Sequence, residues 1–171
     1  MKGGLFSIIF LFCILCAGAK HSWAQAKPQV ATSVSIRTID SLLSARRAPL
    51  ILNFWATFCK PCIEEIPHFE GVVDSLRSTG LELWLVSLDM QELYPRGLAE
   101  FTRQKGFRSN QFWLNESNAD YFCPFIDSSW SGAIPASLFI NPSTGYRKFY
   151  EQALNPKELN LALQALLAPK R

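Results

Sequence analysis

The chain has 171 residues, five cysteines and a formal net charge of +3. Hydrophobic residues make up 49% and charged residues 18%, which excludes a disordered chain, and 9 glycines with 10 prolines exclude a collagen-like or low-complexity one. The length suits one domain with an additional segment and is enough to bury a core without disulfide staples, while five cysteines cannot all pair within the chain.

Met1 and Lys2 are followed by an apolar run from Leu5 to Ala19. One early positive charge, about 15 apolar residues and then small residues form the pattern of a secretory signal peptide. The run is short for a membrane span, which needs about 20 residues. Ala24-Gln25-Ala26 offers a cleavage site after Ala26, and Ala17-Gly18-Ala19 a second; an uncleaved anchor is the alternative. Without residues 1–26 the chain loses Lys2 and Lys20, so Lys+Arg falls from 17 to 15 against 14 acidic residues and the net charge falls to +1. No nucleic-acid-binding patch is implied. Cys13 and Cys16 leave too, and their C-x-x-C spacing inside an apolar segment is a decoy. Cys59, Cys62 and Cys123 remain.

The stretch from Ala26 to Ser35 reads as a loose leader. Ile39 to Arg46 is predicted as a short helix with Asp40 or Thr38 near its cap. Pro49 to Trp55 is a continuous apolar run of strand length, suited to a central strand buried on both faces. Pro61 to Ser78 carries apolar residues at helical spacing, with Pro67 expected to kink it and Gly80 to stop it. Leu81 to Leu88 is a second apolar strand. Gly97 to Lys105 is predicted as a helix ending at Gly106, Phe112 to Leu114 as a short strand, and Asn118 to Ile126 as one or two helical turns broken by Pro124. Ala136 to Ile140 and Tyr146 to Glu151 form a hairpin about the turn Asn141 to Gly145. Asn155-Pro156 is a cap and first helical position, and Leu159, Leu163, Leu166 and Leu167 stripe the last helix. Strands alternating with helices argue for a parallel α/β sheet with crossover helices, and the hairpin adds an antiparallel edge. One domain over residues 32–168 accommodates all of this.

The chemistry concentrates in Asn53 to Pro67. A buried strand ends, a short loop follows, and Cys59 arrives at a helix N-terminus, where unpaired N–H groups and the helix dipole favour thiolate over thiol. Lys60 adds a smaller effect in the same direction. Cys62 lies one turn further in, and the two sulfurs can meet. A bond between them would close a loop of four residues and stabilise the fold by only roughly 2 kcal/mol, so it suits a redox switch better than a staple. Half of a zinc site is the alternative, but such a site needs four ligands and only Cys123 and His68 are left to complete it. Periodicity leaves Glu65 open between a solvated acid of the first turns and a proton acceptor for Cys62, three residues before it.

Trp55, Cys59, Pro61, Cys62, Glu65 and Pro67 match, place by place, the W-x-x-x-C-x-P-C-x-x-E-x-P motif of the thioredoxin-like fold, and the stretch resembles the TlpA/ResA-type exported thiol-disulfide oxidoreductases. Asn53 matches the same branch. The resemblance implies a thioredoxin-like fold, a central mixed sheet flanked by helices behind an N-terminal signal segment. It implies a redox disulfide Cys59–Cys62 as catalytic pair, with Glu65 taking the proton of Cys62. It also implies a cis bond between Ile134 and Pro135, where a trans proline opening a strand is the ordinary alternative. Trp55, Phe58, Lys60, Pro61, Ile134 and Pro135 are then expected to form the substrate-binding surface.

The chain departs from the family at Phe58, where a tryptophan is usual, and at Cys123, an extra cysteine read as a buried, inert thiol. His68 is read as a helix-surface residue. The implied activity is reduction of disulfides in substrate proteins, with apocytochrome c a typical substrate. A membrane thiol-reductant conduit would be the electron donor. Neither cofactor nor metal is expected, and the protein is expected as a monomer in the periplasm or cell envelope. The rivals are an oxidase of the same fold and a copper or zinc carrier; the motif of a peroxidase of the same fold is absent.

Overall fold

A computed structural model describes residues 30–169; residues 1–26, read above as a signal segment and holding Cys13 and Cys16, lie outside the described residues. Six strands and five helices follow one another: β1 Thr32–Val34, α1 Ile36–Ala45, β2 Leu50–Trp55, α2 Lys60–Ser75, β3 Glu82–Ser87, α3 Arg96–Lys105, β4 Asn110–Leu114, α4 Ala119–Ile126, β5 Ala136–Asn141, β6 Tyr146–Tyr150 and α5 Pro156–Leu167. They build one sheet in the order β1-β4-β3-β2-β5-β6. The first four strands of that order run parallel, while β5 is antiparallel to β2 and β6 to β5.

Alternation along the strands divides the core in two. Ile51 and Trp55 of β2 and Phe139 of β5 join Ile66 and Phe69 of α2, Leu98 of α3 and Leu159, Leu163 and Leu166 of α5 on one face. Leu50, Leu52 and Phe54 join Ile36 and Ile39 of α1 and Phe122 and Ile126 of α4 on the other. All six residues of β2 are buried, as a central strand covered by helices on both faces requires.

The structure corrects the predicted elements at three places. Thr32–Val34, read as leader, pairs with Phe112–Leu114 and forms the sheet edge. Helix α1 begins three residues earlier than predicted, because the Ser35 hydroxyl accepts from the Thr38 N–H at 3.1 Å and caps it. Helix α4 continues through Pro124, since burial of Phe122, Cys123 and Ile126 outweighs the one N–H that proline lacks. Helix α2 likewise runs through Pro67, and α5 opens with a full capping box between Asn155 and Glu158. The bonds Tyr94–Pro95 and Ile134–Pro135 are both cis; only the second was expected.

Candidate active site

Strand β2 delivers the chain to the end of the sheet, and the loop Ala56–Phe58 turns it into α2. Cys59 is the N-cap of that helix, and its sulfur accepts from the Cys62 N–H at 3.3 Å. Cys59 and Cys62 are joined by a disulfide across a Cα–Cα separation of 5.3 Å. The two sulfurs are not equivalent: Cys59 keeps 7% of its surface exposed and Cys62 none. A partner from solvent reaches the first and not the second.

The loop is held from below by Asp89, just past β3. Its carboxylate accepts from the Thr57 N–H at 3.0 Å, the Thr57 hydroxyl at 2.6 Å and the Ser87 hydroxyl at 2.7 Å. The Asp89 carbonyl accepts from the Trp113 indole at 2.7 Å. Phe58, one residue beyond Thr57, stands 74% exposed beside Cys59.

Glu65 is buried on α2, 4% exposed. Its Oε1 accepts from Asn53 Nδ2 and its Oε2 from the Leu154 N–H, both at 2.9 Å. Asn53 Nδ2 also donates to Ser137 Oγ at 2.9 Å. Asn53 and Ser137 are register partners on β2 and β5, which is why their side chains meet on the face that α2 covers. Burial pushes the Glu65 carboxyl up to about 7, against the opposing pull of the Leu154 and Asn53 hydrogen bonds. A groove of about 280 Å³, lined by Pro61, Glu64, His68, Leu154 and Pro156 among others, runs beside Glu65.

Ile134 and Pro135 lead the chain into β5. Glu151 accepts from the Ser131 and Ala133 N–H groups, and the Trp130 indole donates to the Ala133 carbonyl at 2.8 Å, so the approach loop is fixed. Ile134 is half-buried and packs against the cluster that holds both cysteines; Pro135 is buried. Lys60 and Pro61 are exposed, with Lys60 paired loosely to Glu64 at 3.7 Å.

Of the expected surface, Trp55 is the correction. It is fully buried between Phe101 and Phe107, so it backs the site from the core and does not face a substrate. Cys123 is buried in the opposite core from Cys59 and Cys62, and burial pushes its thiol up to about 11. His68 is exposed on α2. Neither stands with the cysteine pair, and among the described residues no cluster of three His, Cys, Asp or Glu side chains is placed to hold a metal. Asp89, Ser137 and the Leu154 N–H were missed; each lies far along the chain from the motif it serves.

Residues 25–144 match the AhpC/TSA family. Among curated proteins, the thiol-disulfide oxidoreductase ResA of Oceanobacillus iheyensis is 43% identical over 44 residues, 26% of this chain and 23% of that protein. The thioredoxin-like protein YneN of Bacillus subtilis is 44% identical over 46 residues, 25% of this chain and 27% of that one. The chain thus matches about a quarter of the length of these relatives. Among solved structures, a thioredoxin-related protein of Neisseria meningitidis superposes with a TM-score of 0.60 at 22% identity, over 73% of this chain and 89% of that one. A putative thiol:disulfide interchange protein DsbE of Chlorobium tepidum gives 0.58 at 18%, over 74% and 85%. These superpositions establish a thioredoxin-like fold.

Proposed function

The chain belongs to the AhpC/TSA family, and from that premise we propose that it is an exported thiol-disulfide oxidoreductase working as a reductase of protein disulfides. The observation that carries the reading is the unequal pair: a slightly exposed Cys59 at a helix N-cap, bonded to a fully buried Cys62.

In the reduced enzyme the helix N-terminus favours the Cys59 thiolate. It attacks one sulfur of a substrate disulfide, and the other substrate sulfur leaves as a thiolate. Glu65 then accepts the proton of Cys62, and the resulting thiolate attacks Cys59, releasing the second substrate thiolate. Two electrons have passed to the substrate, and the Cys59–Cys62 disulfide remains. A thiol-reductant conduit in the membrane would return the pair to the dithiol form, and an apocytochrome c is a suitable substrate. The reading needs no prosthetic group. Phe58, Lys60, Pro61 and the half-buried Ile134 form the contact surface, to which the buried Pro135 adds no exposed side chain, and Phe58 supplies an exposed aromatic face next to the attacking sulfur. The relatives named as thiol-disulfide oxidoreductases support this class of activity.

The test is kinetic and electrochemical. Cys59→Ser should abolish reduction of a protein disulfide, and Cys62→Ser should trap a mixed disulfide visible by mass spectrometry. A Cys59→Ser enzyme that still turns over removes the mechanism. A reduction potential near or below about −270 mV supports a reductase, whereas one near about −120 mV gives an oxidase.

A further inference from the structure

The hydrogen bonds around Glu65 run in one direction: they give its ionised form two donors and offer an added O–H no acceptor. The Leu154 N–H can only donate, so it fixes Oε2 as an acceptor. Oε1 receives Asn53 Nδ2, and the same amide nitrogen donates to Ser137 Oγ. The other amide atom, Asn53 Oδ1, is buried without a hydrogen-bond partner among the described residues. When Glu65 takes up a proton, Oε1 is the oxygen left to carry it, and the O–H then faces an amide nitrogen that cannot accept. If nothing moved, the buried O–H would be left without an acceptor.

Rotation of the Asn53 amide by half a turn gives that O–H an acceptor and moves Nδ2 to the side where Oδ1 had no partner among the described residues. Oδ1 then sits where Nδ2 was and accepts from Glu65 Oε1–H. The Ser137 hydroxyl, able to donate as well as accept, reverses and donates to the same oxygen. An amide and a hydroxyl are side chains that can reverse a hydrogen-bonded chain in this way without gaining or losing a proton. We propose that Asn53 and Ser137 are positioning residues for Glu65, forming a reversible hydrogen-bond pair whose amide turns with the protonation of that carboxyl and so serves both its basic and its acidic form. The proposal rests on the reading of Glu65 as the proton acceptor of Cys62, a role in which the carboxyl must take up a proton and release it again in every cycle. Burial that pushes Glu65 up to about 7 keeps both forms populated near neutrality.

Few other groups can blur the titration. Strands β2 and β5 bring no ionisable side chain. Glu64 and His68 of α2 and Glu158 of α5 line the groove beside Glu65, and Cys59 and Cys62 at the head of α2 do not titrate in the disulfide form.

The experiment is NMR of the oxidised, 13C,15N-labelled protein from about pH 5 to about pH 9, a range that spans both forms of the carboxyl. The Asn53 Cγ and Nδ2 shifts should move with the same midpoint as Glu65 Cδ. The nuclear Overhauser contacts of the Asn53 amide protons with Ser137, present at high pH, should be lost at low pH. In Glu65→Gln the Leu154 N–H holds the new carbonyl at the Oε2 position and turns the new NH2 group toward Asn53. That variant should show the low-pH Asn53 signature at every pH. Asn53 signals that ignore the Glu65 midpoint, or Ser137 contacts unchanged at both ends, overturn the proposal; the wild-type titration alone decides it if Glu65→Gln does not fold. These measurements involve no substrate. The role of Glu65 as proton acceptor is read separately, from the pH profile of mixed-disulfide resolution in Glu65→Gln, so failure of one reading is distinguishable from failure of the other.

Discussion

Glu65 is a buried carboxyl with two hydrogen bonds and, among the described residues, no cation on it. Burial disfavours its charge more than the two donors favour it, and its pKa rises from 4.5 to about 7. The sign of the linked stability follows. A carboxyl whose folded pKa is raised binds a proton more readily folded than unfolded, so stability falls as pH rises. The loss begins near 4.5 and is complete above about 7, where it amounts to about 3 kcal/mol. Urea unfolding of the oxidised protein at pH values below and above that window should show this fall, and Glu65→Gln should flatten it. A Glu65→Gln profile as steep as the wild type's would assign the dependence to another group. The motif made Cys59, Cys62 and Glu65 visible, since their spacing is local to the first two turns of one helix. It also misplaced Trp55, because spacing states nothing about which face of a strand a side chain takes; alternation along β2 puts Trp55 in the core. Ser137 was hidden for the opposite reason. Its partnership with Asn53 arises from cross-strand register, 84 residues away in sequence.

The segment between β2 and α2 leads to Cys59, and the Asp89 carboxylate holds its shape at Thr57. Three donors converge on it from Thr57 and Ser87. Asp89→Ala leaves these partly buried donors without their acceptor and should destabilise the protein by about 3 kcal/mol. Thr57 is released two residues before Cys59, so the reduction rate should fall as well. Asp89→Asn keeps one carbonyl oxygen and should recover part of both. Equal disulfide reduction by all three proteins, measured where each is folded, would show that the loop needs no such hold. Long apolar runs and cap-proline pairs announced β2, β3, α2 and α5 well. Short edge elements did not announce themselves: β1 has three residues, of which only Val34 is buried, and it is a strand because β4 offers it an edge. Pro124 misled for a related reason, since the apolar side of α4 has a core to cover and that burial lies outside any local propensity.

The sheet carries a helix-covered core on each face, and the Cys59–Cys62 bond sits at one end of α2, spanning residues that the helix already orders. It therefore restricts the unfolded chain over four residues only, which limits its contribution to roughly 2 kcal/mol. By the closed cycle of folding and oxidation, the same energy is the amount by which folding shifts the pair's potential toward the disulfide, about 40 mV for a two-electron couple. Any preference of the helix N-terminus for the Cys59 thiolate works the other way and makes both figures smaller. Reduction should accordingly leave the fold intact. Urea unfolding of the oxidised and the reduced protein at one pH should give free energies differing by no more than about 2 kcal/mol, with both transitions cooperative. A difference of about 5 kcal/mol, or a reduced form that melts without a cooperative transition, would make the bond a structural staple. A dithiol that leaves the two cores unchanged is what repeated cycling requires, because each turnover then alters two sulfurs and one proton and spares the domain that holds them.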